Sequence, residues 1–197
     1  YRDASALLSK CPNVRVAAGI HPWLVDDSTD AADVADAISG SPWVGEVGLD
    51  FGAKHAHSKK EQLRVFEAVC EACSGGGKTL SLHSVRSAGT VLDVLEKTGT
   101  IDNCRCVFHW FSGTSKELAR AKGAGCWFSV GERMLGTRRG LEYARQIPTS
   151  RLLLETDLPE ARKDGTAPTD IAESLTRAAE ILASIKEGWK PGQARLF

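Results

Sequence analysis

Six short apolar runs recur along the chain, starting near residues 14, 43, 78, 104, 125 and 151, each followed by a helical pattern. Successive starts lie 29, 35, 26, 21 and 26 residues apart. That is the length of a strand–helix unit, so the pattern predicts an α/β fold with a parallel sheet and right-handed crossovers. Residues 14–20 are nearly continuously apolar, as expected of a strand covered on both faces. Helices are predicted over 4–10, 30–39, 59–73, 87–97, 115–122, 137–146 and 169–186. In 59–73, Leu63, Phe66, Val69, Cys70 and Cys73 recur at helical spacing. Gly75-Gly76-Gly77 ends that helix. It lacks the Lys-Ser/Thr of a phosphate loop and reads as a connector.

Four of the runs hold one metal-capable side chain, mostly near the C-terminal end. Glu46 sits in Val44-Gly45-Glu46-Val47-Gly48-Leu49-Asp50, His83 in 78–84, His109 in 104–111 and Asp157 in 151–159. A charge inside an apolar strand is costly unless it is paired or bound to a metal. Parallel α/β folds keep their active sites at strand C-termini. Four such strands in series therefore predict convergence on one point, most simply a metal site at the mouth of a barrel.

Other strand-end residues carry two readings each. His21, in Gly19-Ile20-His21-Pro22-Trp23, is either a hydrogen-bonded loop residue or a donor to a substrate phosphate. Arg86 is either a locally paired surface cation or a contact for an anionic substrate. Phe111 reads as core, and Trp110 as core or as a platform for a nucleobase. His55 and His57 form a His-x-His in a polar loop and read as solvent-exposed. Ser112 or Thr114 is expected to cap the helix at 115–122. Glu155 alternates with Thr156, which puts it on one strand face with Asp157, where it would support the site from behind.

The chain of 197 residues reads as one domain, 1–197. Twenty-five basic and 25 acidic side chains give zero net charge. That removes the argument for nucleic-acid binding from a globally basic surface. A divalent cation can still supply local positive charge at a phosphate. No apolar run reaches the ~18–20 residues of a membrane span, and the start shows no signal-peptide pattern. Cys70 and Cys73 form a C-x-x-C inside a helical pattern with no second pair. All six cysteines read as reduced, mostly buried small hydrophobes of a cytoplasmic protein.

The strand-end words Gly19-Ile20-His21-Pro22, Gly45-Glu46-Val47-Gly48-Leu49-Asp50, Leu82-His83-Ser84, His109-Trp110-Phe111-Ser112-Gly113 and Glu155-Thr156-Asp157-Leu158-Pro159 resemble the TatD family of metal-dependent deoxyribonucleases. Gln62 and Phe66 fit as well. The wording of His109-Trp110-Phe111-Ser112-Gly113 and Gly125-Cys126-Trp127-Phe128-Ser129, with His83-Ser84-Val85-Arg86-Ser87-Ala88, is closer to the QatD-like branch, associated with bacterial anti-phage defence operons and their partner proteins. The resemblance implies a TIM (β/α)8-type barrel of the metal-dependent hydrolase kind that cleaves DNA phosphodiester bonds. It implies one or two divalent ions (Mg, Mn or Zn). Glu46 would bridge them, His83 and His109 would hold one, and Asp157 would ligate the other and orient or deprotonate the attacking water. His21, Arg86 and Trp110 would face the substrate.

Two departures stand out. The family's first strand carries a His-x-His that the sequence lacks, and the chain opens inside a helical pattern. It therefore reads as lacking its first one or two βα units, which predicts weak activity and exposed apolar edges. Glu160-Ala161 stands where the family is usually aromatic. Two alternatives stay open: a metal-dependent hydrolase of a small amide, lactone or phosphoester, and a non-catalytic binding remnant.

Overall fold

The computed structural model describes residues 2–158, 168–187 and 189. They form two compact units. The first runs up to Phe108 and takes in Ser112–Cys126; the second holds His109–Phe111 and the chain from Trp127 onward. Glu160 and Ala161 lie outside the described residues.

In the first unit, α1 (Arg2–Leu8) and α2 (Ala31–Ser39) precede β1 (Trp43–Asp50). Helix α3 (Lys59–Cys73) leads to β2 (Thr79–Val85). Helices α4 (Ala88–Lys97) and α5 (Thr100–Asn103) lead to β3 (Arg105–His109), whose last residue is counted with the second unit, and α6 (Ser115–Gly123) follows. β1 pairs with β2 and β2 with β3, both parallel. Leu49, Leu80, Leu82, Val107 and Phe108 are fully buried. Apolar residues on both faces of a strand are what a doubly covered parallel sheet requires.

Helix α3 buries Val65, Phe66, Val69, Cys70 and Cys73 along one stripe. Gln62 is buried there too, while the predicted stripe residue Leu63 is only half-buried. The Gln62 amide is tolerated because its polar atoms are satisfied. Its Nε2 donates to the His55 carbonyl (2.9 Å) and Ser58 Oγ (3.1 Å), and its Oε1 accepts from the Asp50 N–H (2.7 Å). This clamps the C-terminal end of β1. Gly48 serves the same region: a Cβ there would lie 2.2 Å from the His83 carbonyl oxygen. Only glycine lets β1 approach β2 so closely.

The run at 14–20 does not form the expected strand. It makes one parallel bridge, Ala18 to Val44. Ala18 N–H donates to the Trp43 carbonyl and Gly45 N–H to the Ala18 carbonyl, both at 2.9 Å. Val14 is 41% exposed, and the Arg15 guanidinium bonds the Pro12 and Val14 carbonyls. The apolar run thus yields one rung, because local bonds satisfy its start.

In the second unit, β4 (Trp127–Val130) pairs in parallel with β5 (Leu152–Leu154). Between them come α7 (Glu132–Leu135) and α8 (Arg138–Gln146), and α9 (Pro168–Ile185) follows. The short α7 had no periodic signal in sequence. Phe111, Phe128, Met134, Tyr143, Leu152 and Leu182 are buried. Phe111 meets Phe128 edge-on at 5.8 Å and Tyr143 at 5.7 Å, which confirms it as core.

All six cysteines are free, with Cys70, Cys73, Cys106 and Cys126 buried. Burial pushes the Cys73 thiol up to about 11, and the Cys70 and Cys106 thiols are raised for the same reason. Among the described residues no helix is long and apolar enough to cross a membrane.

Candidate metal centre

The first unit gathers His21, Glu46 and His83. One ligand atom of each lies within 4.8 Å of the others. His83 stands between two carboxylates. Its Nδ1 is 2.8 Å from Glu46 Oε1 and its Nε2 is 3.0 Å from Asp50 Oδ2. A neutral imidazole has one N–H and one lone pair. One of these contacts therefore sets a lone pair against a carboxylate unless a cation or a second proton intervenes. Asp50 is nearly buried and accepts from Trp23 Nε1 (2.6 Å) and the Gly52 N–H (2.7 Å). Burial pushes the Asp50 carboxyl up, but the hydrogen bonds from Trp23, Gly52 and His83 outweigh it and hold the group below the usual carboxylate range. With Nε2–H given to Asp50, the Nδ1 lone pair of His83 faces Glu46. This is the donor set of a metal ligand oriented from behind.

His21 behaves differently. Its Nδ1 accepts from the Trp23 N–H at 3.2 Å. That places the proton of the neutral ring on Nε2, 3.8 Å from Glu46 Oε1. A protonated Nε2 donates and cannot ligate, so the bonding favours the phosphate-donor reading of His21 over its inclusion as a ligand.

The second unit repeats the device. His109 Nδ1 lies 2.5 Å from Glu155 Oε2, and Nε2 is 3.5 Å from Asp157 Oδ1. Ser129 Oγ also donates to Glu155 Oε2. Glu155 Oε1 is buried and makes no hydrogen bond among the described residues. With Nδ1–H given to Glu155, the Nε2 lone pair faces the half-exposed Asp157 carboxylate, again a place for a cation. Carboxylate and imidazole donors of this kind fit a divalent ion.

The predicted face shared by Glu155 and Asp157 is not formed. β5 ends at Leu154, and Asp157 adopts a left-handed backbone (φ 56°). Glu155 is buried beneath His109, while Asp157 reaches its other nitrogen from the exposed side. Arg86 (φ 54°) and Trp110 (φ 38°) are also left-handed. Such conformations cost a non-glycine residue ~1–3 kcal/mol and cluster at functional sites. Arg86 is exposed at the end of β2. Trp110 is half-buried, with the Arg133 guanidinium 5.1 Å from its ring centre. Arg133 Nη1 is also 3.8 Å from Asp157 Oδ2.

His57 is exposed, as expected, but His55 is half-buried and stacks on Trp23 at 4.9 Å. The stacking energy of an aromatic neighbour keeps it out of bulk solvent. Asp50, Trp23, Ser129 and Arg133 carried no assignment in sequence. The Gly-Leu-Asp word that ends β1 was the available signal for Asp50.

The TatD related DNase model matches residues 1–190. The 3'-5' ssDNA/RNA exonuclease TatD of Musicola paradisiaca is 35% identical over 152 residues, 72% of this chain and 56% of that protein. The putative deoxyribonuclease TATDN3 of Mus musculus is 28% identical over 147 residues, 73% of this chain and 48% of that protein. The chain thus spans about half the length of these curated relatives. The solved YJJV, a TatD homologue from Escherichia coli, superposes with a TM-score of 0.73 at 20% identity, covering 94% of this chain and 77% of that one. A TatD family hydrolase from Entamoeba histolytica gives 0.65 at 21% identity, covering 79% and 55%. The structural likeness shows the α/β fold of the TatD barrel hydrolases, and the chain belongs to the TatD related DNase family.

Proposed function

We propose that the protein is a metal-dependent hydrolase of DNA phosphodiester bonds. The observation that carries this is the repeated unit of imidazole between two carboxylates, Asp50–His83–Glu46 and Glu155–His109–Asp157. Glu46, His83, His109 and Asp157 are the proposed ligands of one or two divalent ions, with Mg, Mn and Zn all compatible with nitrogen and oxygen donors. A bound ion supplies Lewis acidity and charge neutralisation at a phosphodiester. The chain's own groups do the rest. Asp50 and Glu155 hold the two imidazoles in their ligating tautomers. His21 Nε2–H and the exposed Arg86 donate to the phosphate, and Asp157 accepts a proton from the attacking water.

The printed names of the curated relatives, exonucleases of single-stranded DNA and RNA among them, support nucleic acid as the substrate. The wording of residues 83–88, 109–113 and 125–129 supports the anti-phage branch.

Metal content by mass spectrometry on protein purified without chelator tests the centre, beside Glu46→Ala. Equivalents of a divalent ion that disappear in the variant are expected, with Mn-dependent release of nucleotides from a fluorescent single strand. A metal-loaded protein that hydrolyses small esters but no oligonucleotide would overturn the nuclease reading.

A further inference from the structure

Trp23 is used neither by the proposed ligands nor by the core. It lies in the 3-10 turn Pro22–Leu24, directly after His21. It is 56% exposed, unusual for so large an apolar ring. The ring is nevertheless fixed. Nε1 donates to Asp50 Oδ2 at 2.6 Å. His55 lies parallel to it, 4.9 Å away with a 7° interplanar angle. His21 meets it edge-on at 4.8 Å and His83 at 6.0 Å. The indole is thus held by its N–H and its ring neighbours while more than half of the residue stays exposed. Leu24, 70% exposed, lies next in the same turn.

A side chain already immobilised loses little further entropy when something stacks on it. The neighbours define what that something is. His21 Nε2–H, the proposed phosphate donor, and Glu46 and His83, the proposed metal ligands, lie beside the ring. A ligand suited to both carries a phosphate and a flat aromatic group, which describes a nucleotide. Stacking tolerates any base but needs one whose face is not already paired and stacked in a duplex.

We infer that Trp23 is the stacking platform for an unpaired nucleobase of a single-stranded end, beside a phosphate that His21 Nε2–H holds next to the proposed Glu46–His83 metal centre. This rests on the nuclease reading above. It assigns to Trp23 the role that sequence offered to Trp110, whose ring is engaged by Arg133.

The test is binding of a fluorescein-labelled thymidine oligonucleotide and of a blunt duplex of equal length, by anisotropy, in EDTA and again with calcium. Wild type is compared with Trp23→Ala, Trp23→Leu and Trp23→Phe, and Mn binding of each is measured by calorimetry. Trp23→Ala and Trp23→Leu are expected to weaken single-strand binding about tenfold or more, with Trp23→Phe largely restoring it and duplex binding little changed. Trp23→Phe lacks the bond to Asp50, so rescue by it separates stacking from support of the metal cluster. Single-strand binding by Trp23→Ala equal to wild type overturns the platform and leaves the nuclease reading standing. The same holds if the three variants lose Mn and oligonucleotide affinity in parallel. A wild type that binds neither nucleic acid overturns both.

Discussion

His83 and His109 each give one ring nitrogen to a buried carboxylate and present the other to a second acid. If Asp50 and Glu155 act by fixing these tautomers, Asp50→Asn and Glu155→Gln should each weaken Mn or Zn binding about 10–100-fold. Circular dichroism at equal concentration should show the fold retained in both, and calorimetric titration reads the loss. Arg86 supplies a second test. Its left-handed backbone is strained for an arginine, so Arg86→Gly should leave urea stability unchanged or raise it by up to ~1 kcal/mol. Cleavage of a single strand should fall in the same variant. A fall in stability would show that the guanidinium holds the fold.

At the scale of elements, α4 and α6 are joined by Arg120, which pairs with Asp93 and Glu96, and by Glu117. Thr114 and Glu117 form a capping box at the start of α6, and Glu117 Oε1 also accepts from the Gly89 N–H at 2.8 Å. Burial pushes the Glu117 carboxyl up. The hydrogen bonds from Thr114 and Gly89 and the charge of Arg120 outweigh that and hold it below the ordinary value of 4.5. A depressed folded pKa means that the stabilisation is present above the unfolded value and lost as pH falls through the folded one. Glu117→Gln should therefore cost ~1 kcal/mol at pH 7. It should also flatten the acid limb of the stability profile below about pH 4.5, both read by urea unfolding. In the second unit, Phe111 packs on Phe128 and Tyr143, and Phe111→Ala should cost ~3–5 kcal/mol in the same measurement.

For the whole molecule, a ligand that binds only the folded state raises stability by mass action. Mn at about 100 times its dissociation constant should add ~2.7 kcal/mol, seen as a higher Tm that EDTA reverses. Glu46→Ala should lack that response. Strand and helix order was legible because apolar periodicity and spacing are local properties of the chain: β1, β2, β3, β4 and β5 lie where the apolar runs predicted them. The run at 14–20 failed, since ladder formation depends on the neighbour and on competing local bonds. Glu46, His83 and His109 were legible because a charge or imidazole inside an apolar strand is conspicuous, and Asp157 because it closes the last apolar run. Their partners were not, because hydrogen-bond geometry depends on side chains brought together by folding.

By itself the sequence determined the α/β class and the family resemblance and singled out Glu46, His83, His109 and Asp157, all carried by residue type and spacing. Only the tertiary structure decided that Asp50 stands behind His83 and Glu155 behind His109. It alone set His21 Nδ1 against the Trp23 N–H and left Trp23 exposed with its ring fixed. Those outcomes rest on distances of a few ångströms between residues far apart in the chain, and spacing along one strand does not encode them.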